Sequence, residues 1–266
     1  MVLYYIFSFL FGLGVGSFLN VVILRGARGE SFVKGRSRCE SCGKTLQWFE
    51  LIPLASFFIQ KARCRSCGAK LSWQYPLVEF ATGLLFALIA IYYSPSGVEG
   101  IPLWLSPRLA FELMFAFVIP SASIVILVSD IRWKIIPNGA VVTLLVVSLI
   151  RESTRLSLVD IGYDVGAALG LAFFFFALWF LSRGAWMGFG DVKLVLATSF
   201  LLGFPASIPA VLFSFWIGAA FGVILLALRV VNLKTQIPFG PFILAGSAAA
   251  YFYSETALWY IGMSMG

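Results

Sequence analysis

Histidine is absent from all 266 residues, and charged residues make up only 12% of the chain. Without histidine, the chain supplies neither a Ser-His-Asp or Cys-His catalytic group nor a histidine metal ligand. A soluble globular protein carries about 25% charged residues, so this chain has too little polar surface to cover a globule in water. The residue types that remain for acid–base or metal chemistry are its carboxylates and its four cysteines.

Long apolar runs stand where the charges are missing: 61% of the residues are hydrophobic. The runs are continuous rather than alternating, which predicts spanning helices, each of about 20 mostly apolar residues, rather than barrel strands. Eight runs are found, at 1–24, 77–93, 109–129, 137–150, 163–182, 192–204, 206–228 and 238–262. The predicted fold is an all-α polytopic membrane protein with about eight transmembrane helices.

Basic residues concentrate in one stretch of the chain. Residues 25–76 contain ten Lys/Arg and three Glu, which accounts for the whole net charge of +7. If this stretch is cytoplasmic and the chain crosses the membrane at every run, sixteen of the 19 Lys/Arg fall inside, as the positive-inside rule predicts. The N-terminus is then outside, and the first run, with no basic residue before it, is expected to be a retained helix rather than a signal peptide.

The same pattern divides the chain into three parts. Residues 1–24 form the first transmembrane helix, residues 25–76 a cytoplasmic loop domain, and residues 77–266 the remaining helical bundle. A nucleic-acid-binding patch is disfavoured for the basic loop, because no such fold fits into about 50 residues that also contain two cysteine pairs.

All four cysteines lie in this loop, in two matching pairs. Cys39-x2-Cys42 and Cys64-x2-Cys67 are separated by 21 residues, and a glycine follows each pair. Two such turns can offer four thiolates to one tetrahedral zinc ion. Disulfides are the alternative, disfavoured because the predicted topology puts the loop in a reducing compartment. Four cysteines leave no open coordination position, so the expected zinc is structural and folds the loop.

Two of the twelve carboxylates stand at the ends of apolar runs. Asp130 ends the third run and Asp191 begins the sixth, and the predicted topology places both at the cytoplasmic end of the bundle. An ionisable group at a membrane boundary is a functional candidate. Two neighbouring carboxylates release their protons at separated pH values, so one can act as base toward water and the other as acid toward a carbonyl oxygen.

Simpler roles for these two residues remain open. Asp191 follows two glycines that can form a turn, so it can serve only as a helix cap. Asp130 can pair with Arg132 or Lys134 at the interface. The sequence alone does not show that the two aspartates meet.

Six short motifs follow one another along the chain. They are Gly16-Ser17-Phe18-Leu19-Asn20-Val21-Val22; Trp48-Phe49-Glu50-Leu51-Ile52-Pro53-Leu54 between the cysteine pairs; Ser72-Trp73-Gln74-Tyr75-Pro76-Leu77-Val78-Glu79 with Thr82-Gly83; Asp130 before Ile136-Pro137-Asn138; Gly188-Phe189-Gly190-Asp191-Val192-Lys193-Leu194; and Ile237-Pro238-Phe239-Gly240-Pro241-Phe242. With these motifs, the fifth of which matches a GxGD signature, the chain resembles the type IV prepilin peptidases along nearly its entire length.

The resemblance implies a bacterial inner-membrane aspartic endopeptidase. Such enzymes cut the basic leader of type IV prepilins and type II secretion pseudopilins after a glycine, at the cytoplasmic face. Members with the cysteine loop are often bifunctional and methylate the new N-terminal residue with S-adenosylmethionine. Asp130 and Asp191 correspond to the family's catalytic aspartates. The expected partners are therefore prepilin and pseudopilin substrates and membrane lipid, and no nucleic acid.

Four further residues are candidates for supporting roles. Gly188 and Gly190 lack side chains and allow the extended substrate backbone to approach closely. Glu50 and Glu79 are candidates for binding the leader's basic residues or the new ammonium terminus, and the alternative for both is an ion pair with nearby Lys or Arg. No glycine-rich nucleotide signature marks a site for S-adenosylmethionine, so that cofactor rests on the resemblance alone.

Two other classes of function compete with the peptidase. A transporter or channel with a zinc-stabilised loop needs its acids near the midplane of the membrane, whereas both aspartates are predicted at one edge. A structural subunit of an assembly machine would tolerate the loss of either aspartate. A signal peptidase of another type is disfavoured, because no serine–lysine pair stands at the outer face.

Overall fold

The computed structural model describes residues 2–93, 107–153, 158–232 and 235–261. In this part of the chain the structure is helical, and its only β pairings are two isolated bridges, Arg38–Thr45 and Arg63–Lys70. The chain divides into two compact units, Met1–Val125 and Ile126–Gly266. The three-part division expected from the sequence stays a prediction.

Helices carry most of the described chain. They are α1 (Val2–Ala27), a short 3-10 helix (Trp48–Leu51), α2 (Ala55–Ile59), α3 (Gln74–Tyr92), α4 (Pro107–Trp133), α5 (Asn138–Ser153), α6 (Leu158–Leu181), α7 (Phe189–Leu202), α8 (Ser207–Ala227) and α9 (Gly240–Ile261). Each of the eight apolar runs in the sequence corresponds to one of the long helices, α1 or α3 to α9, which confirms the all-helical part of the prediction.

Five of these helices are long and apolar enough to cross a membrane: Val2–Ala27, Gln74–Tyr92, Phe111–Trp133, Val159–Leu181 and Ser207–Ala227. The protein is therefore a multi-pass membrane protein. The count of eight spans stays a prediction, because α5 and α7 contain only 16 and 14 residues and α9, with 22 residues, is not among the five. A perpendicular helix needs about 20 residues to cross the hydrocarbon core.

The helices expose apolar side chains and bury small or polar ones. Phe7, Phe173 and Trp216 are exposed, whereas Thr82 and Ser214 are buried. The core also contains large apolar side chains such as Phe86 and Phe175, so the exposed apolar side chains are what suits a surface that lipid covers. In lipid, helix contacts depend on close packing of small residues rather than on hydrophobic burial.

Glycines bring α1 and α3 together in the first unit. A Cβ added at Gly12 would lie 2.8 Å from the Cα of Gly83, and one at Gly16 would lie 2.7 Å from the Cα of Glu79. Only a residue without a side chain allows the two backbones to approach this closely. At the same interface, Asn20 Nδ2 donates to the carbonyl oxygen of Tyr75 at 3.2 Å. The glycine contacts and this hydrogen bond hold α1 against α3.

A buried acid holds the α7–α8 turn in the second unit. Asp164 of α6 is 2% exposed, and its Oδ1 accepts a hydrogen bond of 2.5 Å from the Phe204 amide. Gly203 precedes that amide with φ +72, and a Cβ there would lie 2.8 Å from Asp164 Oδ1. The carboxylate therefore has a structural partner at the end of α7.

Candidate active site

Asp130 lies in the last turn of α4. The helix ends at Trp133, and Lys134 adopts φ +56 and donates its amide to the carbonyl oxygen of Asp130 at 2.8 Å. A left-handed residue directly after a helix is a common way to end it. Pro137 then precedes α5. The Asp130 side chain is buried, with 5% of its surface exposed.

Asp191 lies in the first turn of α7. Gly188 precedes the helix in an extended conformation, and its amide donates to Asp191 Oδ2 at 3.0 Å. An acid here also suits the positive end of the helix dipole. The helix-cap alternative thus describes a real contact, which is made through Oδ2 of Asp191. Asp191 is also buried, with 7% of its surface exposed.

The start of α9 contributes the contact that holds Asp130. The Gly240 amide donates to Asp130 Oδ2 at 2.9 Å. A Cβ at position 240 would lie 2.6 Å from the same oxygen, so the approach requires glycine. The sequence shows the motif around Gly240, but it does not predict a role for this amide, because no residue near Gly240 in sequence relates it to Asp130.

Ile136 packs between the two elements that hold the aspartates. Its side chain would lie 3.1 Å from a Cβ at Gly190 and 3.5 Å from one at Gly240. Asp130 and Asp191 lie close enough to interact electrostatically. The structure therefore brings the two candidate residues together at one place in the second unit, and it gives Gly190 a packing reason for lacking a side chain.

Glycine amides donate hydrogen bonds to both carboxylates, from Gly240 to Asp130 and from Gly188 to Asp191. The Lys134 ammonium also interacts electrostatically with Asp130, so the ion-pair alternative holds in part. The Arg132 guanidinium lies 4.8 Å from the ring centroid of Trp133. Two adjacent buried acids held by neutral donors can share a proton and activate water, which is the chemistry of an aspartic protease.

A hydrogen bond that the sequence does not predict joins α7 to α5. Lys193 Nζ donates to Asn138 Oδ1, and the same ammonium lies 5.6 Å from the ring centroid of Phe189. Lys193 follows Asp191 by two residues, and Asn138 begins α5. Both residues belong to motifs named above. Their place in those motifs is the only signal in the sequence that could have indicated a role for them.

The four cysteines converge in the first unit. Their sulfur atoms all lie within 4.8 Å of one another, and Cys39 Sγ and Cys67 Sγ are 3.9 Å apart. Tetrahedral zinc with Zn–S bonds of about 2.3 Å holds its sulfurs about 3.8 Å apart. All four are free thiols, two buried and two exposed. The donor set and its spacing fit one metal ion.

The two cysteine turns repeat the same hydrogen bonds. In the first, Gly43 has φ +71 and donates to the carbonyl oxygen of Cys39 at 2.9 Å; in the second, Gly68 has φ +70 and donates to that of Cys64 at 2.9 Å. Glycine adopts this left-handed conformation without strain. The duplicated turn seen in the sequence is therefore duplicated in the backbone.

The thiols strongly influence one another. The backbone amides of Cys67 and Ser66 lower the pKa of the Cys64 thiol to about 6. The Ala69 amide lowers the pKa of Cys67, but desolvation and the three neighbouring thiols outweigh it and raise that pKa to about 11. Clustered thiolates repel one another, and a bound cation removes that repulsion.

Glu50 and Glu79 belong to the first unit and line one cavity there. Glu79 Oε2 accepts from the Leu54 amide at 2.8 Å. Glu50 Oε2 accepts from the Gln47 amide at 2.8 Å, and its Oε1 lies 3.7 Å from Lys44 Nζ. The ion-pair alternative therefore holds in part for Glu50, whereas backbone holds Glu79.

Comparison with known proteins identifies the family. A family model described as Bacterial Peptidase A24 N-terminal domain matches residues 10–93, and one described as Type IV leader peptidase family matches residues 117–223. A prepilin leader peptidase/N-methyltransferase of Bacillus subtilis (strain 168) is 35% identical over 97% of this chain and 98% of its own length. The chain belongs to the type IV leader peptidase family.

Other members of the leader peptidase family are similar over most of the chain. A prepilin leader peptidase/N-methyltransferase of Aeromonas salmonicida (strain A449) is 30% identical over 97% of this chain and 94% of its own length. One of Myxococcus xanthus (strain DK1622) is 34% identical over 84% of this chain and 64% of its own length. No solved structure matches. The resemblance seen in the motifs is confirmed, and the transporter alternative is not favoured.

Proposed function

We propose that this chain is a membrane aspartic endopeptidase that removes the basic leader of type IV prepilins and pseudopilins after a glycine. We also propose that it methylates the new N-terminal residue. The observation that carries the peptidase proposal is the pair of buried carboxylates, Asp130 and Asp191, each held at Oδ2 by a glycine amide. The relatives, named prepilin leader peptidase/N-methyltransferase, support both activities.

In the proposed cleavage, one aspartate is ionised and the other protonated. The ionised carboxylate takes a proton from a water molecule while the water oxygen forms a bond to the scissile carbonyl carbon. The protonated carboxyl donates to the carbonyl oxygen, which gives a neutral tetrahedral intermediate. Collapse breaks the C–N bond, and a proton passes to the leaving nitrogen. The leader leaves with a new carboxyl terminus, and the pilin keeps a free amine.

Gly188 and Gly190 have proposed supporting roles in this reaction. The substrate must present extended backbone, since helical amides are already hydrogen-bonded. The turn before Asp191 carries no side chain at either glycine, which leaves room for that backbone. At Gly190 this role adds to the packing against Ile136.

The proposed topology places the reaction at the cytoplasmic edge of the bacterial inner membrane. All eight long helices cross the membrane, the N-terminus is outside, and residues 25–76 form the cytoplasmic loop between residues 1–24 and the bundle of residues 77–266. Sixteen of 19 Lys/Arg then lie inside, which supports this orientation. The apolar helix of a pilin can stay in lipid while its basic leader remains in the cytoplasm.

A structural zinc ion and a methyl donor complete the proposal. Zinc would be held by Cys39, Cys42, Cys64 and Cys67, whose sulfur spacing fits it, and would keep the loop folded. S-adenosylmethionine would supply the methyl group. Glu50 and Glu79 are proposed to face positively charged groups of the ligands, because both are buried carboxylates in one cavity.

The test of the peptidase proposal is cleavage of a prepilin-type substrate in membranes by the parent, Asp130→Asn and Asp191→Asn. We expect each variant to lose at least about a hundredfold in rate, because each removes an acid or base from the reaction. Asp160→Asn, at an exposed position of α6, is the matched control and should cut like the parent. Variants that are inserted normally and still cut at the parent rate would exclude the aspartate mechanism.

A further inference from the structure

A cavity of about 180 Å³ lies in the first unit, where the cysteine loop meets α1 and α3. Its lining includes Ser17 and Asn20 from α1, Glu50 and Phe57 from the loop, and Tyr75 and Glu79 from α3. The two buried cysteines also line it, whereas the two exposed ones do not. The candidate metal site thus shapes one wall of the cavity without filling it.

The buried charges in this lining are all negative. Of the charged residues that line the cavity, Glu50 and Glu79 are buried, at 6% and 7% exposure. The cations lie at the half-buried or exposed rim: Arg25, Arg28, Arg38 and Lys70. Carboxylates at the bottom of a cavity favour a ligand with a positive charge.

The rim arginines have partners of their own. Arg25 donates to the carbonyl oxygens of Ser31 and Arg36, each at 3.0 Å, and to that of Lys34. The other two form ion pairs with exposed acids, Arg28 with Glu40 and Arg38 with Glu30. Each of these three arginines therefore already has acceptors of its own in the loop.

Glu50 has an oxygen atom without a hydrogen bond. Its side chain is 1% exposed, and Oε1 has no hydrogen-bond partner among the described residues. The nearest cation, Lys44 Nζ, lies 3.7 Å away on a side chain that is 40% exposed, and such pairs contribute little. A buried carboxylate oxygen without a donor is costly, so it marks a place where a ligand's donor fits.

Glu79, in contrast, is already satisfied. Its Oε2 accepts from the Leu54 amide, and it also accepts from the Ser17 hydroxyl. Leu54 itself adopts φ +59, which is strained for a residue with a side chain. Glu79 therefore already holds the loop through these two hydrogen bonds, and of the two carboxylates it is Glu50 that has an oxygen without one.

We propose that this cavity binds the primary ammonium group of a ligand in the methyl-transfer reaction, with the carboxylate of Glu50 as its acceptor. The inference rests on the methyltransferase part of the proposed function. The volume is below the roughly 300–1,000 Å³ of sites that enclose a whole drug-sized ligand, so it takes one end of a larger molecule. Two ligands carry such an end: S-adenosylmethionine at its amino-acid part and the cleaved pilin at its new N-terminus.

The experiment is equilibrium binding to the purified full-length protein in detergent. The probes are S-adenosylmethionine, S-adenosylhomocysteine and a short peptide with a free N-terminal phenylalanine. The proteins are the parent, Glu50→Gln, and two controls at exposed positions outside the cavity lining, Asp160→Asn in α6 and Lys61→Gln in the cysteine loop. We expect Glu50→Gln to weaken binding at least about tenfold, as expected for loss of a charge-assisted hydrogen bond, and both controls to stay within about twofold.

The pattern across probes identifies the source of the ammonium. Weaker binding of both adenosyl compounds assigns the cavity to the methyl donor, whereas weaker binding of the peptide alone assigns it to the pilin terminus. In the parent, the probe so identified should bind at least about tenfold more weakly when its amine is removed. That comparison needs no variant, so it stands even if Glu50→Gln fails to fold.

Failure of the inference and failure of the proposed function give different results. A parent that binds the probes while Glu50→Gln binds them equally well, or a parent indifferent to loss of the amine, overturns the site and leaves the function intact. A parent that cleaves leaders but binds none of the probes overturns the methyl-transfer function and the site with it.

Discussion

The amide of Gly240 donates a hydrogen bond of 2.9 Å to Asp130 Oδ2, across 110 positions of sequence. This bond joins the last turn of α4 to the first turn of α9. Its acceptor is a buried carboxylate that is 5% exposed. The position of Asp130, and with it the geometry of the proposed dyad, therefore depends on a glycine that is distant in sequence.

Gly240→Ala is expected to reduce leader cleavage at least about tenfold, because a Cβ there would lie 2.6 Å from Asp130 Oδ2 and must displace it. The measurement is the cleavage rate in membranes, normalised to inserted protein. Gly222→Ala, where no atom lies within 4 Å of the added Cβ, is the control and should cut like the parent. Parent-like cleavage by Gly240→Ala would mean that Asp130 does not need this contact.

Gly190→Ala is expected to be damaging for a steric reason that a second substitution can relieve. Its Cβ would lie 3.1 to 3.3 Å from the side chain of Ile136, and such overpacking costs about 1–3 kcal/mol. We expect Gly190→Ala to lower the cleavage rate and Gly190→Ala with Ile136→Ala, which removes two of the three crowding atoms, to recover part of it. Gly139→Ala, with open space around the new Cβ, is the control.

Absence of recovery in the double variant would point to a different reason for the glycine. If the substrate backbone must approach position 190 closely, a side chain at position 190 lowers the cleavage rate regardless of which residue occupies position 136. Comparison of the single and double variants therefore separates packing from substrate access, since only the packing effect couples the two positions.

Local patterns in the sequence predicted the helices and the convergence of the four cysteines, and for physical reasons. The apolar runs are long because lipid admits few other structures, so each run could be assigned to a helix from composition alone. The paired cysteines with a glycine after each pair specify their own turns. Asp130 and Asp191 could be singled out because each stands where an apolar run ends or begins.

Contacts between distant segments could not be predicted in this way. Nothing near Gly240 in sequence indicates that its amide meets Asp130, and nothing around Asp164 indicates that it receives the Phe204 amide. The burial of Glu50 is likewise a product of how the loop folds back on α1 and α3. Such contacts arise when helices pack against one another. A single sequence indicates which segments form helices, but not which of them pack together.

The four-cysteine site predicts about one zinc ion per chain in the purified protein, measured by elemental analysis. Cys39→Ser and Cys67→Ser, whose sulfurs lie 3.9 Å apart in the parent, should each lose most of that zinc. Ser41→Ala, between the first pair of cysteines, should keep it. Retention of zinc after loss of a cysteine would place the ion elsewhere.

Removal of zinc should also loosen the loop, because the ion supplies folding energy that so small a domain otherwise lacks. We expect a chelator to increase the rate at which trypsin cuts within residues 25–76, measured by mass spectrometry of the fragments. Readdition of zinc should restore resistance. An unchanged cutting rate after chelation would show that the loop folds without its metal.

The proposed orientation predicts opposite labelling of two exposed positions. Lys61 lies in the cysteine loop and Asp160 lies at the start of α6. We expect a membrane-impermeant maleimide to label Lys61→Cys in inverted membrane vesicles and Asp160→Cys in right-side-out vesicles. The four native cysteines give the same background in both variants, so the unsubstituted parent serves as the reference. The positive-inside rule makes this prediction from the 16 internal and three external basic residues of the proposed eight-span topology. Labelling of both positions from one side would mean that the number of crossings between them is even and that the proposed eight-span topology is wrong.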